Sequence, residues 1–482
     1  MDTYEKGENA KRIPLLSALK AYSERDVAAF DVPGHKRGKG VQILNDYFGE
    51  NLMKMDVNSL PILDNVASPT GVIKEAQKLM ADAYSADEAF FITNGTTSAI
   101  HCMLMSALSP GDKVLMPRNI HKSALNGLIL CGGMPVYAEA EVCPIEGLTM
   151  NVAPAEIEAK LDENVDIKAV FLLNPTYYGY TADLQAIAGI CHERGVLLLA
   201  DEAHGAHFPF HEKLPVSAMG AGADISCVSV HKTGGALTQS SAMLVNTKRV
   251  NAAKVQQTIN MLQSTSSSYL LMSSLDGARY NLVTNGHNQI ENALMLRARA
   301  YLEMDRIEGI SVVSQSEQFD ATKLGINVSG LGLTGFQVYE ILWKEFDIQF
   351  EAADFHHVLG IISLGSTSEH IDRLVEAFRE ISDKYAAGAS SKRRKNHIYT
   401  TPKIMMSPRD AYFGEKEMVS LNDALGRISG ESIMAYPPGI PIVAPGELIT
   451  KKIITALNNL KNDNASVTDN MDMELNQILV IK

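Results

Sequence analysis

The residues best equipped for chemistry fall at the ends of short apolar runs. In 226-SCVSVHKTGG-235 such a run ends in Ser229, His231 and Lys232, then two glycines. A lysine partly desolvated there can lose its proton and form a Schiff base, whereas one left in water stays a charged surface group. Ser229 and His231 can donate hydrogen bonds to a phosphate, and Gly234 and Gly235 let the backbone approach a bound group closely. Upstream, 196-VLLLADEAHG-205 stops at Asp201 and Glu202, followed by Ala203 and His204. A carboxylate at that point can pair with a cationic ring nitrogen or act as a plain turn cap. In 94-NGTTSAI-100 the N–H groups of a helix start and the hydroxyls of Thr96, Thr97 and Ser98 could cradle a phosphate; the plain alternative is an ordinary capped helix. In 118-RNIHKSA-124, His121 could stack on a flat heteroaromatic ring or cap a surface helix.

Phosphate grip, stacking histidine, acidic partner and lysine follow one another in chain order at successive strand ends. That set fits pyridoxal 5'-phosphate better than a metal or a nicotinamide. The glycine spacing of a dinucleotide fold and the lysine of a nucleotide P-loop are both absent. His204, His207 and His211 form HxxHxxxH, a zinc-like spacing, but no second ligand set accompanies it, and the reading is no metal.

These residues need a sheet beneath them. Runs such as 168-KAVFLL-173, VLLLA and 225-ISCVSV-230 are apolar throughout and alternate with helical stretches of ten to fifteen residues, the pattern of a mostly parallel sheet with right-handed crossovers. Ligands of such sheets sit beyond the carboxyl ends of the strands. The return 240-SSAMLVNT-247 completes a large α/β domain over 66–300, after a turn-rich N-terminal arm over 1–65. A long helical pattern from about 283 to 305, strands at 309-GISVVS-314 and 356-HHVLGIISLG-365, and a helix at 368–386 suggest a smaller α/β domain over 301–390. The basic stretch 387-AAGASSKRRKNH-398 reads as a solvated connection, and 391–482 as linker and C-terminal domain.

The chain has 482 residues and a formal net charge of -13, which disfavours a nucleic-acid surface. Five cysteines without ligand spacing, no signal-like apolar segment and no apolar run long enough to span a membrane give a cytoplasmic expectation.

With PGHKRG at 33, DVNSLPILDN at 56, NPTYYG at 174, SVHKTGGALTQS at 229 and YPPGIPIVAPGE at 436, beside NGTTSA, RNIHKSA and DEAHGAH, the chain resembles the bacterial ornithine/lysine/arginine decarboxylases. The similarity covers almost the whole chain, and PGHKRG and the proline-rich block separate it from aminotransferases generally. It implies a pyridoxal-phosphate-dependent fold type I, aspartate-aminotransferase-like: a large domain with a mostly parallel sheet, a smaller α/β domain and a C-terminal α+β domain. It implies that Lys232 holds pyridoxal 5'-phosphate covalently and Asp201 pairs with the ring nitrogen. His121 and Ala203 would cover the two ring faces, and Thr96, Thr97, Ser229 and His231 would contact the phosphate. Lys232 or His204 would return a proton to the substrate; His204 departs from the bulky aromatic found there in some large degradative members.

The chain is shorter than those members and lacks their response-regulator-like N-terminal domain, so a homodimer or a small multiple is expected, with His35 and Lys36 of the arm near a partner's site. The substrate is a basic amino acid, L-arginine first, then L-lysine and L-ornithine. Asp56, Glu431 and Glu447 are the acidic candidates for its cationic tail. An aminotransferase or aldolase on the same fold, or a cofactor-free binding protein, are the competing readings.

Overall fold

A computed structural model describes residues 7–313, 318–386, 402–435, 440–462 and 467–482. The connection expected at 387–398 and residues 436–439 of the proline-rich block lie outside them. Seven strands make the large sheet: β1 (Glu88–Ile92), β2 (Lys113–Pro117), β3 (Met134–Ala138), β4 (Ile167–Leu173), β5 (Leu197–Asp201), β6 (Ile225–Val228) and β7 (Ser241–Val245), in the order β1-β7-β6-β5-β4-β2-β3. By contact the chain divides into two compact units, Met1–Ser106 with Leu199–Asn288, and Ala107–Leu198 with Gln289–Lys482.

In the first unit β5 and β6 run parallel, with Asp201 opposite Cys227, while β7 is antiparallel to β6 and to β1. The reversal of β7 folds residues 229–240 back over the end of β6, where the Ser240 carbonyl accepts from the His231 N–H at 3.2 Å and the Gln239 carbonyl from the Gly95 N–H at 3.0 Å. The apolar run to Val230 predicts a strand, but β6 stops at Val228 and Val230–Thr233 makes one helical turn. The amides of Lys232 and Gly234 close that turn on the Ser229 and Val230 carbonyls at 3.0 and 2.8 Å. A side chain at 234 would put its Cβ 2.8 Å from Val230 Cγ1, and Gly235, at φ +87°, takes the chain out of the turn.

The helix Pro14–Ser23 buries Leu15, Leu19 and Tyr22 but begins at Ile13, which offers no capping side chain. Asp276 supplies one from the helix Tyr269–Met304, accepting the Leu15 and Leu16 N–H groups at 3.0 and 3.3 Å. Arg279, one turn on, balances its charge at 2.9 Å. That helix begins well before the start at about 283 that periodicity suggests.

In the second unit β2 is parallel to β3 and β4. A four-stranded antiparallel sheet follows, β8 (Ser311–Val312), β9 (Lys323–Asn327), β10 (Ala352–Ala353) and β11 (His357–Ile361), in the order β10-β11-β9-β8. Its core includes the helices Gly335–Phe346 and Ser368–Tyr385, each opened by a capping box, Thr334 with Gln337 and Thr367 with His370. Strand β9 has no sequence expectation behind it, because Lys323 and Gly325 break its apolar pattern; Lys323 is nevertheless wholly buried, 3.8 Å from Asp320. Toward the C-terminus short strands and the helix Lys451–Asn462 enclose a core of Ile433, Val443, Ile453, Leu457, Ile478 and Val480. Among the described residues no helix is long and apolar enough to cross a membrane.

Between β5 and β6 lies a buried carboxylate that holds the first unit's loops together. Glu202 is fully buried, accepting the Ala218 N–H at 2.7 Å and the Ser226 hydroxyl at 3.2 Å. Burial pushes its carboxyl up to about 8, against those two hydrogen bonds. The folded chain therefore binds this proton more tightly than the unfolded chain does. The resulting stability is full below the unfolded value and is lost as pH rises through about 8. Glu202→Gln, which cannot ionise, is expected to raise Tm over the parent by a margin that widens from about pH 5 to about pH 8. Thermal scans across that range check it; a margin independent of pH contradicts it.

Candidate active site

Three hydroxyls converge where the helix that follows β1 begins. The chain leaves β1 through Thr93 and Asn94 and enters the helix Gly95–Ala107 at Gly95, whose φ of +73° suits glycine. Thr96, in its first turn, points inward: its Oγ1 lies 2.5 Å from Ser229 Oγ and 2.7 Å from Ser241 Oγ, and all three residues are buried. Thr97, the next residue, is exposed. Ser229 precedes the turn that carries Lys232, and Ser241 opens β7. His231 is oriented by the same loop, its Nδ1 donating to the Ser240 carbonyl at 3.0 Å.

Lys232 projects from the helical turn and is half-buried, with Nζ 3.0 Å from Nε2 of His204. Between an amine and an imidazole one proton can be held by either nitrogen, so His204 can take the proton that Lys232 must lose to become a nucleophile. His204 itself is buried, three residues beyond the end of β5. Gly205 after it is required by space: a Cβ there would lie 2.6 Å from Glu202 Cγ and 3.0 Å from the Phe208 ring.

Asp201 closes β5 and is 2 % exposed. Burial pushes its carboxyl up to about 6, against the pull of the Lys232 ammonium and of the Ala203 N–H, which donates at 3.2 Å. A carboxylate this deep gains from a further cation beside it, and a protonated pyridine nitrogen is such a cation. The first unit thus supplies an amine able to condense with an aldehyde, a buried carboxylate suited to a pyridinium, and clustered hydroxyls suited to a phosphate. The donor set fits pyridoxal 5'-phosphate.

The arm belongs to the same unit. His35 Nε2 and Asp56 Oδ2 are 3.2 Å apart, and His35 Nδ1 accepts the Gly38 N–H at 3.1 Å. Lys36 bonds to the Asp31 carbonyl from a positive φ of 48°. The other expected residues lie in the second unit. His121 is the N-cap of the helix Lys122–Cys131, its Nδ1 accepting the Ser123 N–H at 3.2 Å and lying 2.8 Å from the Ser123 hydroxyl. Glu447 accepts from Arg118 at 3.0 Å, the Tyr137 hydroxyl at 2.8 Å and the Ala444 N–H at 2.8 Å. Glu431 accepts the Met471 and Leu479 N–H groups, both at 2.7 Å. Both glutamates are buried, and these partners occupy both oxygens of each.

Ser241 is a member of this candidate hydroxyl cluster that sequence reasoning misses. Its one signal is a polar residue at the head of the otherwise apolar run SAMLV, which reads equally well as a strand end. The Lys232–His204 contact is also beyond the sequence, since it depends on the unexpected helical turn.

Residues 13–325 match the Orn/Lys/Arg decarboxylase major domain, and residues 391–467 match the C-terminal domain of the same family. The arginine decarboxylase of Halalkalibacterium halodurans is 39% identical over 481 residues, covering 98% of each chain. The lysine decarboxylase LdcA of Pseudomonas aeruginosa is more distant, 25% identical over 93% of this chain and 75% of its own. The solved structure of Pseudomonas aeruginosa lysine decarboxylase A superposes with a TM-score of 0.86 at 22% identity, over 98% of this chain and 81% of that one, a likeness of fold. The fold is pyridoxal-phosphate-dependent fold type I, and the chain belongs to the Orn/Lys/Arg decarboxylase family.

Proposed function

We propose that this protein decarboxylates L-arginine to agmatine, a polyamine precursor, with pyridoxal 5'-phosphate held on Lys232. The observation that carries the reading is the Lys232 amine, 3.0 Å from a buried imidazole in a loop that also carries the buried Asp201. Arginine is preferred over lysine because relatives named arginine decarboxylase stand near 39% identity over nearly the full length, and those named lysine decarboxylase at 25% or below. When bound, the cofactor supplies the electron sink for the pair left on Cα as carbon dioxide departs.

The chain's own residues do the rest. Asp201 would pair with the ring nitrogen and favour its protonated form. Thr96, Ser229 and His231 would hold the phosphate end, with Ser241 Oγ 2.7 Å from the Thr96 hydroxyl and Thr97 exposed beside them. As the family resemblance implies, Ala203 would lie against one ring face and His121 is the residue proposed for the other. Lys232 Nζ would give way to the substrate amine at the cofactor, and the surrounding side chains would orient the carboxylate that is lost. Lys232 Nζ, able to exchange a proton with His204 Nε2 at 3.0 Å, would return a proton to Cα. One C–C bond breaks, one C–H bond forms, and the proton comes from this pair. For the cationic tail the candidate is Asp56, 36% exposed beside His35, with Lys36 at the same entrance.

A homodimer or larger homo-oligomer in the cytoplasm completes the proposal. Its support is the arm: the helix Gln42–Phe48 buries none of its residues, and Phe30, Ile43, Tyr47 and Phe48 around it are all more than half exposed. Apolar side chains clustered this way are the usual mark of a protein interface.

Three outcomes are expected. Lys232→Ala should abolish the visible absorbance of bound cofactor and nearly all carbon dioxide release, while His204→Asn keeps the absorbance and loses about 10²–10⁴-fold in kcat; a fully active His204→Asn would remove the histidine from proton transfer. Among arginine, lysine and ornithine assayed on one preparation, arginine should have the highest kcat/KM, and lysine or ornithine exceeding it tenfold would reverse the substrate. Tyr47→Asp should shift sedimentation toward monomer, and a fully active monomeric parent would overturn the oligomer.

A further inference from the structure

The histidine run at 204–211 does not act as one ligand set. His204 turns to Lys232 Nζ, and the His207 ring packs beside Phe208 with centroids 5.0 Å apart. His211 faces elsewhere. It follows the short turn Phe208–Phe210 and is buried, and its ring stacks on that of His287 at 4.4 Å with 21° between the planes. Glu212 lies beside both: His287 Nε2 is 3.1 Å and His211 Nδ1 is 4.0 Å from Glu212 Oε2. One ligand atom from each residue falls within 4.8 Å of the other two.

We propose that His211, Glu212 and His287 form a binding site for a divalent transition metal of the zinc, cobalt and nickel class. Two imidazoles and a carboxylate are the borderline ligands such ions take, and three protein ligands leave a fourth position for water. Metal–ligand bonds of about 2.0–2.2 Å require ligand atoms roughly 3.3 Å apart in a tetrahedral site. The His287–Glu212 pair already meets that spacing, while His211–Glu212, at 4.0 Å, must shorten by about 0.7 Å and His211–His287, within 4.8 Å, by up to about 1.5 Å. Exposure permits the movement: Glu212 is 66% and His287 41% exposed, while His211 is the fixed member. The Lys213 N–H donates to His211 Nδ1 at 3.2 Å, so that nitrogen carries a lone pair, which a bound ion would take over.

The site would join two parts of the first unit that the chain separates by 75 positions. His211 and Glu212 end the segment that begins with Asp201 and His204, and His287 belongs to the helix Tyr269–Met304. A metal there fastens the loop carrying His204 to that helix from outside the reacting centre. The inference holds whatever the substrate, since it uses none of the residues assigned to the reaction. The five cysteines are all buried thiols, which leaves the exposed imidazole and carboxylate as the accessible ligands in this cluster.

Tag-free, chelator-treated holoenzyme should bind one Co²⁺ per chain in equilibrium dialysis, with visible d–d absorbance that Zn²⁺ displaces. His287→Ala and Glu212→Gln should each weaken Co²⁺ binding about tenfold or more, leaving cofactor absorbance and the metal-free Tm unchanged. Because both residues are exposed, neither variant should unfold the protein. Absence of Co²⁺ uptake, or uptake that both variants leave unchanged, would overturn the site and leave the decarboxylase reading untouched.

Discussion

Holding a carboxylate out of water next to an amine is the constraint on which this architecture turns. Asp201 is 2 % exposed at the end of β5, and its ionisation is opposed by burial and favoured by Lys232. Such a group stays ionised only where a cation or hydrogen-bond donors offset its burial. The antiparallel β7 makes that delivery possible by bringing residues 229–240 back over the end of β6, so that a single helical turn aims the lysine. The glycines at 234 and 235 are required by that turn, and the hydroxyls of Thr96, Ser229 and Ser241 converge because three chain segments end together.

Burial of acidic groups recurs through the chain with different consequences. Glu202 ties the loop at Ala218 to β6 through two hydrogen bonds and remains hard to ionise. Glu447 instead has a guanidinium and a phenol as partners, linking positions more than three hundred residues apart in sequence. Glu431 relies on backbone N–H groups from two other segments. Each of these carboxylates is satisfied within its own unit, by backbone N–H groups, side chains or both. A group that reads a substrate's charged tail must be more accessible than these; the Asp56 side chain, proposed for that role, is 36% exposed.

Much of the fold and the core of the site could be read from residue order. Strands apolar throughout announce a sheet covered on both faces, and polar residues at their carboxyl ends mark where a ligand could sit, which singles out Asp201, Lys232, Thr96 and Ser229 as candidates. The failures have physical causes. A four-residue helical turn contributes too few positions to show a helical period, so 225–230 reads as one strand. Strand β9 was hidden because Lys323 is buried on the strength of tertiary partners that local pattern does not contain. The roles of Glu431 and Glu447 depend on partners 40 and 329 positions away, and the pairing of His211 with His287 spans the whole return through β6 and β7.

The central claim is that Lys232 is the residue to which the cofactor bonds. Borohydride reduction of the cofactor-loaded protein, followed by peptide mass spectrometry, tests it most directly. The account predicts one pyridoxyl group per chain, on the peptide containing Ser229–Gly235 and attached to Lys232. A label on another lysine, or no label after loading, would contradict it.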